Sequence, residues 1–194
     1  MTSATFGTVP RTVACVAGVV LSLGTAAAIA QGATNQPAVH LTCTTQGTHT
    51  FTPAITDSSQ LVTSQTSGKL DDCTSPDGTQ SAIKSGSVTG DASGTASCTG
   101  AKGEGTMQVT WYSKPGQTGD VVGTSTIFST GALKVTVPPD PKGIPGTGTV
   151  SDDSSVMPGA SSSVLAVPTS IPLCSTLTPL PSLSGTGTVT FAAA

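Results

Sequence analysis

A nucleophile–base pair in this chain would have to use one of two histidines, His40 and His49. By alternation His40 lies on the outer face of a strand whose other face carries Val39, Leu41 and Cys43. His49 opens the next strand, beside Phe51. No Gly-x-Ser-x-Gly elbow accompanies either histidine. Ser81-Ala82-Ile83-Lys84 matches Ser-x-x-Lys, but that chemistry places the serine on a helix beside a Lys-Thr-Gly strand. Here a strand follows, and Lys-Thr-Gly does not occur. Glycoside hydrolysis needs two cooperating carboxylates. Asp71-Asp72 and Asp152-Asp153 are adjacent in turn-like stretches, and neighbours on a strand face opposite ways. Asp71, Asp72 and Asp77 would suit a hard cation, yet no Asp-x-Asp-x-Asp loop supports one. Gly100, Gly103 and Gly105 precede a strand, not the helix N-terminus of a phosphate cradle. They read as a hairpin with Lys102 and Glu104 at its tip. The expectation is a protein with no catalytic residue, no cofactor and no metal.

The cysteines carry a different chemistry. Beyond the first thirty residues there are four, Cys43, Cys73, Cys98 and Cys174, an even number suited to two disulfides. Four cysteines allow three connectivities, and spacing alone does not choose among them. The preferred pairing is Cys43–Cys73 with Cys98–Cys174. The first would close the N-terminal strand onto Asp71-Asp72-Cys73, and the second would tie a long strand to the segment before the last one. No Cys-x-x-Cys and no nearby histidine favours a metal instead.

An oxidising compartment fits the N-terminal end. Arg11 is followed by an uncharged stretch to Ala30 with Val13, Val16, Val19, Val20, Leu21 and Leu23, closing on Ala28-Ile29-Ala30. This is the layout of a secretory signal over 1–30, with cleavage after Ala30. Residues 31–37 then form a polar leader, and 38–194 a single domain. A formal net charge of −3 and only 9% charged residues leave no electrostatic footprint for nucleic acid or anionic lipid. Bulky apolar groups are scarce, so the core needs covalent help.

The elements that position these residues are strands. From Gly86 to Cys98 every second residue is small and apolar (Gly86, Val88, Gly90, Ala92, Gly94, Ala96, Cys98) and the others are polar. That is a strand with one buried and one wet face. Runs of the same period surround Leu41, Phe51, Val109, Val135 and Val189, separated by Ser75-Pro76-Asp77-Gly78, Lys114-Pro115-Gly116, Pro138-Pro139-Asp140-Pro141 and Met157-Pro158-Gly159. The expected fold is an all-β, antiparallel, immunoglobulin-like β-sandwich with two disulfides. Trp111 shares parity with Met107 and Val109 and belongs to the core, packed against the small-residue strand. Tyr112 then faces out, as a binding anchor or carbohydrate platform. Gly146-Thr147-Gly148-Thr149-Val150 recurs as Gly185-Thr186-Gly187-Thr188-Val189 and reads as two similar edge strands.

Leu41-Thr42-Cys43, Ile83-Lys84-Ser85-Gly86, Ala96-Ser97-Cys98, the Gly105–Tyr112 run with Thr110-Trp111-Tyr112, and Leu183-Ser184-Gly185-Thr186-Gly187-Thr188 cover most of the domain. Together they resemble small secreted four-cysteine proteins of actinomycetes. One set of these serves as the adaptor subunit of umbrella-type extracellular toxin particles, linking a lectin-like subunit to a toxin. The resemblance implies a protein partner in an extracellular assembly and transfers no catalytic residue. The route expected from the residues is strand addition at an exposed sheet edge, or docking of the leader through Gln31, Asn35 and Pro37. The alternative is a carbohydrate- or wall-binding module centred on Tyr112, with a secreted hydrolase a distant third. No nucleic acid, and no membrane once the signal is removed, is expected as a partner.

Overall fold

The computed structural model describes residues 37–133, 143–170 and 173–194. The expected signal over 1–30, the leader residues Gln31 and Asn35, and the alternating residues 135–137 lie outside those residues. Eight strands are described: β1 (Val39–Ile55), β2 (Gln60–Thr74), β3 (Ser85–Ser97), β4 (Gly100–Lys114), β5 (Thr118–Leu133), β6 (Ile144–Val150), β7 (Ser161–Pro168) and β8 (Leu180–Ala192). Each pairs antiparallel with the next, and β1 also pairs with β8, so the sheet closes into a barrel. The chain is all-β and carries two disulfides, Cys43–Cys73 and Cys98–Cys174.

The expected two-sheet immunoglobulin-like sandwich is overturned by the β1–β8 ladder, which runs unbroken from Leu41↔Phe191 to Thr50↔Ser182. A period of two is shared by sandwich and barrel strands, so alternation does not separate them. Closure also changes three local readings. Residues around Cys43 and Phe51 belong to one long strand, β1, not two. Gly100–Gly105 lies inside β4, with the turn at Cys98-Thr99, so Lys102 and Glu104 sit on a strand rather than at a tip. The Gly-Thr repeats are β6 and β8, which flank β7 and are not free edges.

Glycines make the closure feasible. Gly47 stands opposite both Gly68 and Gly185, and Gly94 opposite Gly103. A Cβ on Gly94 would overlap the Lys102 carbonyl oxygen, so these strands coil closer than any side chain permits. The small residues of β3 were expected to make room for a bulky core group. Gly86 does so, since a Cβ there would lie 3.0 Å from the Trp111 ring. Farther along β3 they serve curvature.

The interior holds two apolar clusters. The larger joins Leu41, Leu70, Val109, Ile127, Val150, Phe191, Trp111 and the Cys43–Cys73 bridge. Trp111 and Phe191 meet edge to face, with ring centroids 5.5 Å apart. Two loops plug this end. Ile83 comes from the β2–β3 connection, and Val156, Met157 and Ala160 come from the β6–β7 connection. Backbone hydrogen bonds from Val150 to Ala160 and from Ala193 to Ala38 also lie here, so both described ends of the chain emerge at this pole. The smaller cluster, at the opposite pole, contains Ile55, Val62 and Ala96, with Phe51, Leu180 and Cys174 against it.

The barrel wall is thinnest between β5 and β6, which pair only at Ile127↔Val150 and Phe128↔Thr149. On one side of that short ladder the β6–β7 loop takes over. Ser151 N–H donates to the Thr126 carbonyl, and the Ser154 and Ser155 hydroxyls accept from the Thr126 and Thr124 N–H groups. On the other side Pro145, by alternation from Thr149, turns toward β5 without an N–H to offer. Among the described residues the expected exposed edge is thus reduced to this short stretch, β5 beyond Phe128 and β6 before Thr149, which are not paired with each other.

Candidate functional site

The sequence-selected residues do not converge. His40 and His49 share β1 but have opposite parity, so they face opposite sides of the wall. His49 has the parity of Leu41 and Cys43 yet is exposed, and its Nδ1 lies 2.8 Å from the Thr66 hydroxyl. Desolvation by the surrounding strands shifts its imidazole below the usual value of 6.5, although the ring keeps access to solvent. His40 Nδ1 lies 2.6 Å from Asp77 Oδ2. Asp77 also accepts the Thr79 backbone N–H at 2.9 Å, the Thr79 hydroxyl at 2.8 Å and the Ser75 hydroxyl at 3.2 Å. The Thr79 backbone bond, with those from Thr79, His40 and Ser75 side chains, holds the Asp77 carboxyl well below its usual range. A carboxylate-oriented imidazole is the orienting half of a catalytic triad. Among the described residues no hydroxyl bonds its other nitrogen. The cluster instead pins the Ser75–Gln80 loop to β1, with the Ser75 hydroxyl donating to the His40 carbonyl.

Asp71 and Asp72 bond the backbone and side chains of the wall. Asp71 Oδ1 accepts the Gly116 N–H at 3.1 Å, fixing the β4–β5 turn. Asp72 lies in β2 at a bulge, with φ of 51°, so neither is in the expected turn. Among the described residues no three His, Cys, Asp or Glu groups gather as a metal site. Trp111 is fully buried, as is Val109, and Met107 packs against the same cluster. The Trp111 indole N–H donates to Ser125 Oγ at 2.9 Å, and that hydroxyl donates to the Val156 carbonyl. Tyr112 is half-buried, with its hydroxyl 3.4 Å from Ser87 Oγ, and does not stand out as a platform. Pro37 is exposed just before β1.

Large apolar side chains are exposed on β5 (Val121, Val122, Phe128) and β7 (Leu165, Val167), but the three most exposed lie at the pole away from the termini. Leu61 is 73% exposed, Leu173 74% and Leu177 96%. The last two belong to residues 173–179 of the β7–β8 connection, which are tied down at several points. Cys174 is bonded to Cys98 in the β3–β4 turn. Asp57, in the β1–β2 connection, accepts the Thr176 N–H at 2.9 Å and its hydroxyl at 3.3 Å. The Cys98 N–H donates to the Thr56 carbonyl, so three connections interlock. Within the last, Ser175 N–H donates to the Thr178 carbonyl at 3.0 Å, and Thr178 N–H to Ser175 Oγ at 3.0 Å. Leu177 therefore stands at the tip of a closed turn. Sequence reasoning passed over it because a leucine in a Pro- and Thr-rich connection has no alternation to reveal its direction. The readable signal was the bulky residue close behind Cys174, where a disulfide denies the loop its freedom.

Two shallow depressions mark the outer wall, each of about 310 Å³. One is lined by Gln46, Thr48, Lys69, Thr169 and Ser184, the other by Thr50, Gln65, Thr89 and Asp91, and Ser67 borders both. Neither has an aromatic residue in its lining. Comparison with known proteins finds no match to this chain among family models, curated proteins or solved structures.

Proposed function

We propose that the protein is an extracellular, non-enzymatic adaptor that works by contacts with another protein. The observation that carries this reading is the exposure of Leu61, Leu173 and Leu177 in a chain with few bulky apolar groups. Such groups are worth most inside, and single exposed leucines are ordinary. Three at one pole, two of them on a loop locked by a disulfide and a carboxylate, favour a contact surface. Pro37 and Ala193 lie at the opposite pole. Two ends with different surfaces suit an adaptor. The two disulfides fit an oxidising, extracellular setting. Size analysis of the protein from the medium of its native cells tests the reading. A complex containing a second protein is expected, and recovery solely as a free monomer would overturn it.

Carbohydrate binding has one observation in its favour, the hydroxyl- and amide-lined depressions around Ser67. They are shallow and have no stacking ring, so that reading ranks second. Retention on chitin or cellulose that is lost with Ser67→Leu would support it. Retention unchanged by that substitution, or no retention, would remove the site.

A further inference from the structure

We infer that the Ser175–Thr178 turn is a preorganised leucine plug that seats in an uncharged apolar socket on a partner protein. The inference rests on the binding role proposed above and assigns its contact. Leu177 keeps 96% of its surface in water, so its neighbours barely shield it and the turn tip is convex. The turn closes on itself through the two Ser175–Thr178 hydrogen bonds. It is anchored on its N-terminal side, by the Cys174 disulfide and by the Asp57 bonds to Thr176. A loop fixed before contact has little conformational entropy left to lose on binding. Part of the turn's hydrogen bonding is internal before any contact: Asp57 bonds the Thr176 amide and hydroxyl, and the Thr178 amide bonds Ser175.

Three occupants compete for such a tip. A lipid surface is held by basic side chains and interfacial aromatics, and residues 173–180 contain neither. A second copy would bring convex tip against convex tip, which leaves each leucine half wet and gives poor complementarity. A concave apolar pocket on a different protein buries the leucine fully and needs no countercharge, because the segment has none. The charge and shape of the turn thus select a protein socket.

The test places a photoreactive leucine analogue at position 177 in the intact, oxidised protein and adds it to native culture medium. The protein in the resulting adduct is then purified and its affinity for unlabelled adaptor measured. Leu177→Asp should weaken that affinity by at least about 10-fold, the effect of leaving one leucine-sized socket unfilled. The fold should persist, since the side chain touches little. Cys98→Ser with Cys174→Ser should also weaken binding while Leu177 is still present, the signature of lost preorganisation. Affinity within about twofold of the original for Leu177→Asp overturns the plug while leaving an adaptor role intact. An adduct of two copies overturns it in favour of self-association. Flotation with phosphatidylcholine vesicles, alone or with phosphatidylserine, overturns it in favour of a membrane. If no protein complex of any kind forms, the plug and the adaptor reading fall together.

Discussion

Opening the Cys98–Cys174 bridge by replacing both residues with serine should lower global stability and loosen the Leu177 turn. The bridge spans 76 residues of sequence. In the chain-entropy model a cross-link closing a loop of that length removes about 4.5 kcal/mol of unfolded-state freedom. For a domain of this size each kcal/mol is worth about 2–4 °C in Tm, so a fall of roughly 9–18 °C is expected. Locally, the Asp57 carboxylate becomes the main tether of the turn. Amide exchange at Thr176 and Thr178 should rise well before the barrel strands open. Removing Cys43–Cys73, which spans 30 residues, makes the contrast. The entropy term falls to about 3.6 kcal/mol, but both sulfurs lie in the larger core cluster, so a packing loss adds to it. That variant should be destabilised at least as much, with the Leu177 turn still protected. Thermal unfolding followed by Trp111 fluorescence, with site-resolved hydrogen exchange, measures both effects. A Tm change below about 3 °C for the Cys98/Cys174 variant, with unchanged exchange at Thr176, would refute the assignment of that bridge as the clasp of the rim.

Ser125→Ala should destabilise the fold by about 1–3 kcal/mol, because it strands the buried Trp111 N–H and the Val156 carbonyl. A urea double-mutant cycle with Trp111→Phe should show clear non-additivity, and additive effects would remove the proposed link. Asp77, held below its ordinary value of 3.8, binds a proton less readily folded than unfolded. Its contribution is present above that pH and lost as pH falls below it. Melting curves from pH 6 to 2 should show a shallower acid decline for Asp77→Asn. His49, also lowered, contributes stability above pH 6.5 that declines as pH drops through its folded value. His49→Gln should flatten the Tm profile between pH 7 and 5, and an unchanged slope would place the titration elsewhere. Gly94→Ala should cost about 1–3 kcal/mol by thermal melting, since its Cβ meets the Lys102 backbone rather than a flexible side chain.

Much of the strand content was legible because period two survives wherever one face is dry. The Gly86–Cys98 alternation corresponds to β3, Ser85–Ser97, nearly residue for residue. The core position of Trp111 followed from its parity with Val109. Glycine blurred the rest. Gly100–Gly105 looked like a turn because glycine marks turns more often than it marks a coiled strand, yet here it continues β4. Tyr112 followed parity to the outer face, but its half-burial beside Ser87 depends on how β3 crosses β4, which no local pattern encodes. Leu173 and Leu177 were silent for the opposite reason: irregular backbone has no period, so direction comes only from tertiary ties.

By itself the sequence determined an all-β chain of low charge, rich in Ser and Thr, with two of its cysteines, Cys43 and Cys98, in register with inner faces. These are local properties, set by residue type and by spacing of a few positions. Only the tertiary structure decided that the sheet closes, because the decisive pairing joins Leu41 to Phe191, at opposite ends of the domain. Closure paired most of the edges on which strand addition relied, leaving the short stretch between β5 and β6, and gave the barrel two unlike poles. It also decided the meaning of Cys98–Cys174. In sequence that pair is one staple of two. In the barrel it gathers three connections at one pole and holds a leucine out in water. Side-chain chemistry is written along the chain, whereas which face meets solvent is a property of the packed whole.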